Sequence, residues 1–470
     1  MRKRMILLFM GLLLLFVAGC SEQTGGSKQK QVASKEIDQE TVKEHNREPV
    51  HTYDVVYTLE EKLSLIFDRV LAKDEILPIL DQLDTYDIKA TFFGSEEQLK
   101  EYPEAVEEII ARGHMIENHA FSGKDIEDMD NEELFYQIEQ VNEQITIHTG
   151  TSANYIYLKG RVEHEKVNAV AGKLGMDGVI HYSSRLTEQD DKERLKLDAR
   201  RAVARGGIIA LNPKEADVLS YFIEAVEDVD FTFVTLNELI DLDKERKPFE
   251  EIPGAEAIQM NANMNAEEPV LHEREETEQK EVALTFDDWA SEAVVLEVLN
   301  LLDRYEIQST FYLKTNRVHQ NPNLARLLVE RGHEVANHTH SHYDSTEITM
   351  EELQEDVYEA HQIITEAIQE QPTLYFRPPF GRIDDASAQA IAAMGFEALG
   401  LYDLSSYDWN EEYTEQDVID RVMTGVQPGS VIVMHILDNI HTPSVLEDVI
   451  VALQEEGYEF VLTSDWIEEK

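Results

Sequence analysis

Ala283-Leu284-Thr285-Phe286-Asp287-Asp288 is a run of strand length, apolar and β-branched, that ends on two adjacent carboxylates. Ser64-Leu65-Ile66-Phe67-Asp68 repeats its pattern. Two further pairs follow in step: Ala90-Thr91-Phe92-Phe93 with Ser309-Thr310-Phe311-Tyr312, and Arg112-Gly113-His114 with Arg331-Gly332-His333. Phe67 and Phe286, Phe92 and Phe311, and His114 and His333 are each 219 residues apart. That period is far longer than a solenoid repeat. The chain carries one domain written twice.

The second copy alternates strands and helices. Short apolar or β-branched runs at Val282–Phe286, Ser309–Leu313, Glu334–Asn337, Leu374–Arg377, Ala398–Tyr402, Ser430–Met434 and Glu459–Leu462 read as strands. Amphipathic patterns lie between them, among them Val294 to Leu302, and Asn323–Glu330 closed by Gly332. Such alternation implies an α/β fold with a parallel, helix-wrapped sheet, either open or closed into a barrel.

Asn337-His338-Thr339-His340-Ser341-His342 supplies three histidines downstream of the aspartate pair. Two histidines and one carboxylate make a metal site with an open position for water, and leave the second carboxylate as an acid or base. The residues alone leave open which two histidines bind. Further along stand Arg377-Pro378-Pro379-Phe380-Gly381, Asp408-Trp409 and Val433-Met434-His435. In this order the five blocks, within residues 280–470, resemble the polysaccharide deacetylase family, which includes chitin, chitooligosaccharide and peptidoglycan deacetylases.

The resemblance implies two tandem distorted (β/α) barrels, the first degenerate, with the chemistry at the C-terminal strand ends. It implies that Asp288, His338 and His342 bind a divalent metal, zinc first, with cobalt or another divalent ion as alternatives. Asp287 is then the general base and Arg377 its partner. His435 is the general acid, its pKa raised by Asp408. The Phe380 N–H, after Pro379, stabilises an oxyanion, while Trp409 and Val433 wall the acetyl pocket. Three positions depart from the family pattern: Phe380 replaces the commoner Tyr, Trp289 replaces Gly, and Ser405 replaces Asp. Trp289 is expected to narrow the cleft or to stack on a sugar. His333 reads as structural, because the first copy keeps His114 without the rest of the site.

Alignment of the copies places Arg69 at Asp288, His119 at His338, Gly123 at His342, Ile156 at Arg377 and Asn212 at His435. One histidine cannot hold a divalent ion and a guanidinium repels one. Residues 51–245 are therefore expected to be a non-catalytic barrel. Arg69 is expected either to replace the missing cation in a bidentate pair with Asp68 or to swing into solvent at the barrel mouth.

At the N-terminus Arg2-Lys3-Arg4 precedes an apolar run from Met5 to Ala18, and Val17-Ala18-Gly19-Cys20 holds the only cysteine. This resembles a bacterial lipoprotein signal over residues 1–19, with lipidation at Cys20 and a flexible tether over 20–50. The expected location is the outer face of the cell membrane, with the lipid as membrane partner. Residues 246–279 read as a linker before a catalytic domain at 280–470. The formal charge of −53 argues against nucleic acid as a partner and favours neutral or cationic ligands. The expected activity is metal-dependent N-deacetylation of a peptidoglycan- or chitin-like aminoglycan. The alternatives are an O-acetyl esterase acting on a polysaccharide and a non-catalytic glycan-binding lipoprotein.

Overall fold

A computed structural model describes residues 48–121, 126–159, 165–263 and 269–468. The signal, Cys20, most of the tether and Gly123 lie outside the described residues. Among the described residues no helix is long and apolar enough to cross a membrane.

The first sheet contains β1 (His51–Tyr53), β2 (Lys62–Phe67), β3 (Thr91–Gly94), β4 (Met115–Asn118), β5 (Tyr155–Tyr157), β6 (Gly178–Ile180), β7 (Ser184–Arg185), β8 (Gly207–Leu211) and β9 (Thr232–Phe233). Its strands run in the order β1-β6-β5-β4-β3-β2-β8-β7, with β9 beside the start of β2. The second contains β10 (Leu271–His272), β11 (Glu281–Asp288), β12 (Thr310–Leu313), β13 (Glu334–Asn337), β14 (Tyr375–Phe376), β15 (Ala398–Gly400), β16 (Leu404–Ser405), β17 (Ser430–His435) and β18 (Glu459–Phe460). Its order, β10-β15-β14-β13-β12-β11-β17-β16 with β18 beside β11, is the same. All pairs of named strands are parallel, and among the described residues the ends of each path do not pair. Each copy is thus a distorted, incompletely closed (β/α) barrel. β2 and β11 are buried along nearly their whole length, which explains their continuous apolar runs.

Helices repeat as closely as strands do. Asn131–Thr149 and Met350–Ile368 are equal in length. Each starts with a capping box, Asp130 with Glu133 and Thr349 with Glu352, which satisfies N–H groups that the first turn leaves orphaned. Each ends on a left-handed residue, Gly150 and Gln369.

Residues 246–279 are not a free linker. Ile252, Ala255 and Ile258 are buried, Gln259 N donates to Met394 O at 2.9 Å, and β10 pairs with β15. Val56 N donates to Gly206 O at 2.8 Å in the first barrel, and Glu275 N donates to Gly429 O at 2.9 Å in the second. The boundary at 280 therefore falls inside the second barrel, which begins near β10. The signal was lost because β10 is only two residues long and its surroundings are polar.

The barrels meet at a buried polar seam. Arg205 donates through Nε to Glu292 at 2.7 Å and through Nη1 to Leu59 O at 2.7 Å. Asn323 Nδ2 donates to Val56 O and Arg205 O, both at 2.8 Å, and Asn321 donates to Glu292.

Candidate active site

Adjacent strand residues face opposite ways, so Asp287 and Asp288 would not share a pocket on a regular strand. The backbone resolves this at Asp288, whose φ is 80°. The turn into the left-handed region ends β11 and brings both carboxylates, each buried, to the C-terminal edge of the sheet. There Asp287 pairs in register with His435 of β17 and Tyr312 of β12.

His338 follows β13 directly. Its Nδ1 lies 2.8 Å from Arg377 O, so the N–H donates there and Nε2 is left facing the carboxylates. His342 Nε2 lies 3.7 Å from Asp288 Oδ1. One donor atom from each of Asp288, His338 and His342 lies within 4.8 Å of the other two. Around a tetrahedral zinc such atoms stand roughly 3.3–3.5 Å apart, so small side-chain adjustments would close the set. Burial, then the charge of His338, hold the His342 imidazole well below its ordinary pKa. It is therefore neutral, as a ligand must be. Asn337 and Asp356 fasten the loop: Asn337 Oδ1 accepts from Thr339 N at 2.9 Å, and Asp356 accepts from the N–H groups of His340 and Ser341. His340 contacts Thr315 Oγ1 at 3.0 Å and lies outside the three-residue group.

Arg377 is completely buried. Nη1 donates to Asp287 Oδ1 and Thr285 Oγ1, both at 2.8 Å; Nε donates to Gly400 O at 2.7 Å and Nη2 to Leu401 O at 3.1 Å. Its guanidinium carbon sits 3.8 Å from the Tyr312 ring centroid. This geometry fixes the Asp287 carboxylate and keeps a cation beside it.

A second buried carboxylate, Asp408, holds His435 at the end of the neighbouring strand β17. Asp408 Oδ1 lies 2.8 Å from His435 Nδ1, and Ser406 and Thr442 hydroxyls also donate to Asp408. Burial alone would lower the His435 pKa. The Asp408 hydrogen bond and charge, with Asp287 and Asp288 adding, push it up to about 9. An imidazolium is thus available to give a proton at neutral pH.

Pro379 is buried, while Phe380 is 59% exposed with φ of 62°, its ring edge-on to His342 at 4.8 Å. Val433 is buried two residues before His435 on β17, on the same face. Trp409 is 49% exposed, and Tyr343, unmarked by any motif, is as exposed as Phe380. Trp289 departs from expectation. It is 8% exposed and packs in the apolar core, so it offers no stacking face. Sequence reasoning also missed Thr285, Tyr312, Ser406, Thr442 and Asp356, which act through hydrogen bonds and packing and carry no motif of their own.

In the first copy, Arg69 Nε and Nη2 bond Asp68 Oδ1 and Oδ2 at 3.0 and 3.4 Å, the bidentate pair expected. Arg185 Nη2 adds a shorter bond to Asp68 Oδ2, 2.7 Å. Burial would raise the Asp68 pKa, but Arg69 and Arg185 hold it below the usual range. Strand register corrects one alignment: Asn118 pairs with Ile156 and Asn337 with Phe376, so Tyr157, not Ile156, stands at Arg377's place. Asn212 follows β8 where His435 ends β17, as aligned.

A family model described as Polysaccharide deacetylase matches residues 56–179 and 274–399, more than half of the chain. The chain belongs to the polysaccharide deacetylase family, in two copies. Over 195 residues it is 29% identical to a peptidoglycan-N-acetylglucosamine deacetylase of Bacillus cereus, covering 41% of this chain and 90% of that one. It is 30% identical over 218 residues to the peptidoglycan-N-acetylmuramic acid deacetylase PdaC of Bacillus subtilis, covering 45% of each. Among solved structures it is similar to a CE4 family pseudoenzyme from Bacillus anthracis, with a TM-score of 0.40 and 23% identity, covering 43% of this chain and 70% of that one.

Proposed function

We propose that the second barrel hydrolyses N-acetyl groups of a peptidoglycan-like aminoglycan, at the outer face of a bacterial membrane where Cys20 carries a lipid. The observation that carries this reading is the gathering of two ion pairs, Asp287–Arg377 and Asp408–His435, at the ends of the adjacent strands β11 and β17, with the three-residue group Asp288, His338 and His342 beside Asp287. Relatives described as peptidoglycan and chitooligosaccharide deacetylases support the substrate class.

Asp288, His338 and His342 would hold a divalent ion, zinc by the preference of that donor set. Such an ion supplies polarisation of the acetyl carbonyl and a more acidic water. Asp287, fixed in place by Arg377, takes the proton of the attacking water as oxygen bonds the acetyl carbon. The Phe380 N–H faces the developing oxyanion. His435 then protonates the sugar nitrogen as the C–N bond breaks, releasing acetate and a free amine. Asp408 keeps His435 charged until that step. The first barrel, with Arg69 and Asn212 in place of a ligand and an acid, takes no part in this chemistry.

The test is acetate and amine release from peptidoglycan, chitooligosaccharide and acetylxylan, with and without chelator. Amine release from the first two that stops on chelation supports the reading. Acetate from acetylxylan alone, with no new amine, assigns an esterase instead.

A further inference from the structure

A cleft of about 400 Å³ lies between the barrels, and it is rich in arginine in a chain whose formal charge is −53. The first barrel contributes Arg185, Arg194 and Arg201; the second contributes Arg317 and His319. Three of the four arginines have carboxylate partners. Arg185 bonds Asp68 at 2.7 Å, Arg194 bonds Asp198 at 3.2 Å and Arg201 bonds Asp438 at 2.6 Å. Arg317 has no hydrogen bond or ion pair among the described residues, although it is partly buried. Burial, then repulsion from Arg201 and Arg194, disfavours its charge more than Asp438 and Asp198 favour it. The Nη1 of Arg185 is also buried without an acceptor.

The cleft adjoins the catalytic edge through both barrels' loops. Arg317 belongs to Thr315–Gln320, and Thr315 bonds His340 and Thr339 of the histidine loop. Asp438, the partner of Arg201, follows His435 by three residues and accepts from Ser291 N, three residues past Asp288. Residues lining the cleft, or their bonded partners, are thus tied to the loops that follow Asp288, Asn337 and His435.

We propose that this cleft is a carboxylate subsite for an acidic N-acetylated glycan, with Arg317 as its anchor and Arg194 and Arg201 at its flanks. The proposal rests on the deacetylase reading for the second barrel's substrate and adds the acidic sugar beside the reacting one. A whole-molecule field this negative repels a polyanion. Discrimination in favour of an acidic glycan must then come from a local cationic site, and a guanidinium fork fits a carboxylate. An unpaired cation held against its neighbours is tolerated where a ligand uses it. The degenerate barrel supplies three of the four arginines, which gives it a role without catalysis.

Binding is measured by calorimetry on the full chain carrying Asp287→Asn, so that the ligand is not consumed. The probes are a carboxylated peptidoglycan glycan oligomer, the same oligomer with its carboxyl groups reduced to alcohols, and inorganic phosphate. The carboxylated oligomer should bind about tenfold tighter than its reduced form, as for one charge-assisted contact. Arg317→Gln should erase that preference and melt at or above the parent temperature, and Arg317→Lys should keep part of it. Equal binding of the two oligomers by the parent overturns the proposal. So does a preference that survives Arg317→Gln, or phosphate binding that the oligomer does not displace. Acetate release is followed separately on the parent chain. If none appears while the preference holds, the deacetylase reading falls and the carboxylate subsite stands.

Discussion

At the scale of single residues, strain follows the chemistry. Asp288, Thr339, His342, Phe380 and Tyr407 all have positive φ, and the counterparts of the first two in the first copy, Arg69 and Ala120, do not. Positive φ shared by both copies falls instead at structural corners, such as Asp87 with Glu306 and Gly113 with Gly332. Left-handed non-glycine residues cost roughly 1–3 kcal/mol each, so the fold holds local strain around the aspartate pair and the histidine loop. Asp287→Asn should retain the metal and lose about 10²–10⁴-fold in turnover, while His342→Ala should lose the metal itself. Metal content and acetate release measured on both variants separate the two roles. Asp408→Asn tests the acid. His435 is held near 9, so activity should fall as pH rises through about 9, and the variant should shift that alkaline limb down by about one to two units. An unmoved limb would remove His435 as the acid. In the vestigial site, Arg69 is 40% exposed and Arg185 19%, and both hold Asp68. Arg69→Ala should therefore cost no more than about 1 kcal/mol. Arg185→Ala should cost more, about 2 kcal/mol or above, because it removes the shorter and better buried bond. Urea unfolding of both variants checks the order. The three-residue group that could hold a metal was legible in the sequence because its members sit in two compact blocks. Arg185 was not, since it stands at the counterpart of Ser405, on a strand that only tertiary pairing defines.

At the scale of elements, the long buried strands and capped helices were legible, and the two-residue strands were not. β11 to β13 show their apolar pattern over four or more residues. β10 and β16 have two residues each, and without the sheet nothing marks them. The placement of Tyr157 failed for a related reason. The segment between β4 and β5 is one residue shorter than that between β13 and β14, and only register reveals the slip. β4 also carries a buried carboxylate that its counterpart β13 replaces with Ala336. Glu117 accepts from Asn154 N and Tyr155 N, both at 2.8 Å. Burial pushes its pKa from 4.5 up to about 8, against the pull of those two bonds. Its folded-state pKa thus exceeds its unfolded value. The stability of the protonated form is fully present below about 4.5 and is lost as pH rises through about 8. Glu117→Gln keeps an oxygen for both N–H groups and has no proton to lose. It should raise the melting temperature at pH 8 more than at pH 5, and equal shifts at the two values would contradict the assignment.

At the scale of the whole molecule, duplication has made two barrels of one fold with different residues at their strand ends. The first keeps the sheet order, the capped helices and the asparagine that fastens the loop after the fourth strand, Asn118 for Asn337. It has exchanged the reactive groups for arginine pairs. The seam that joins it to the second barrel has a buried polar centre, which no hydrophobic pattern in the sequence announced. The seam centres on Arg205 and Glu292, with side-chain exposures of 3% and 0%. Burial raises the Glu292 pKa, while Arg205 and Asn321 pull it down. Two charges taken out of water gain little net stability while paired, but removing one partner strands the other. Arg205→Ala should therefore destabilise the chain by about 3–5 kcal/mol. Replacing both residues by apolar side chains of similar volume should restore most of that loss. Because Arg205 bonds none of Asp288, His338 and His342, the single variant should still bind metal stoichiometrically below its melting temperature. Thermal melts of the single and double variants, with metal analysis of each, test the argument. A single variant that melts like the parent would show that the barrels are held by something other than this pair.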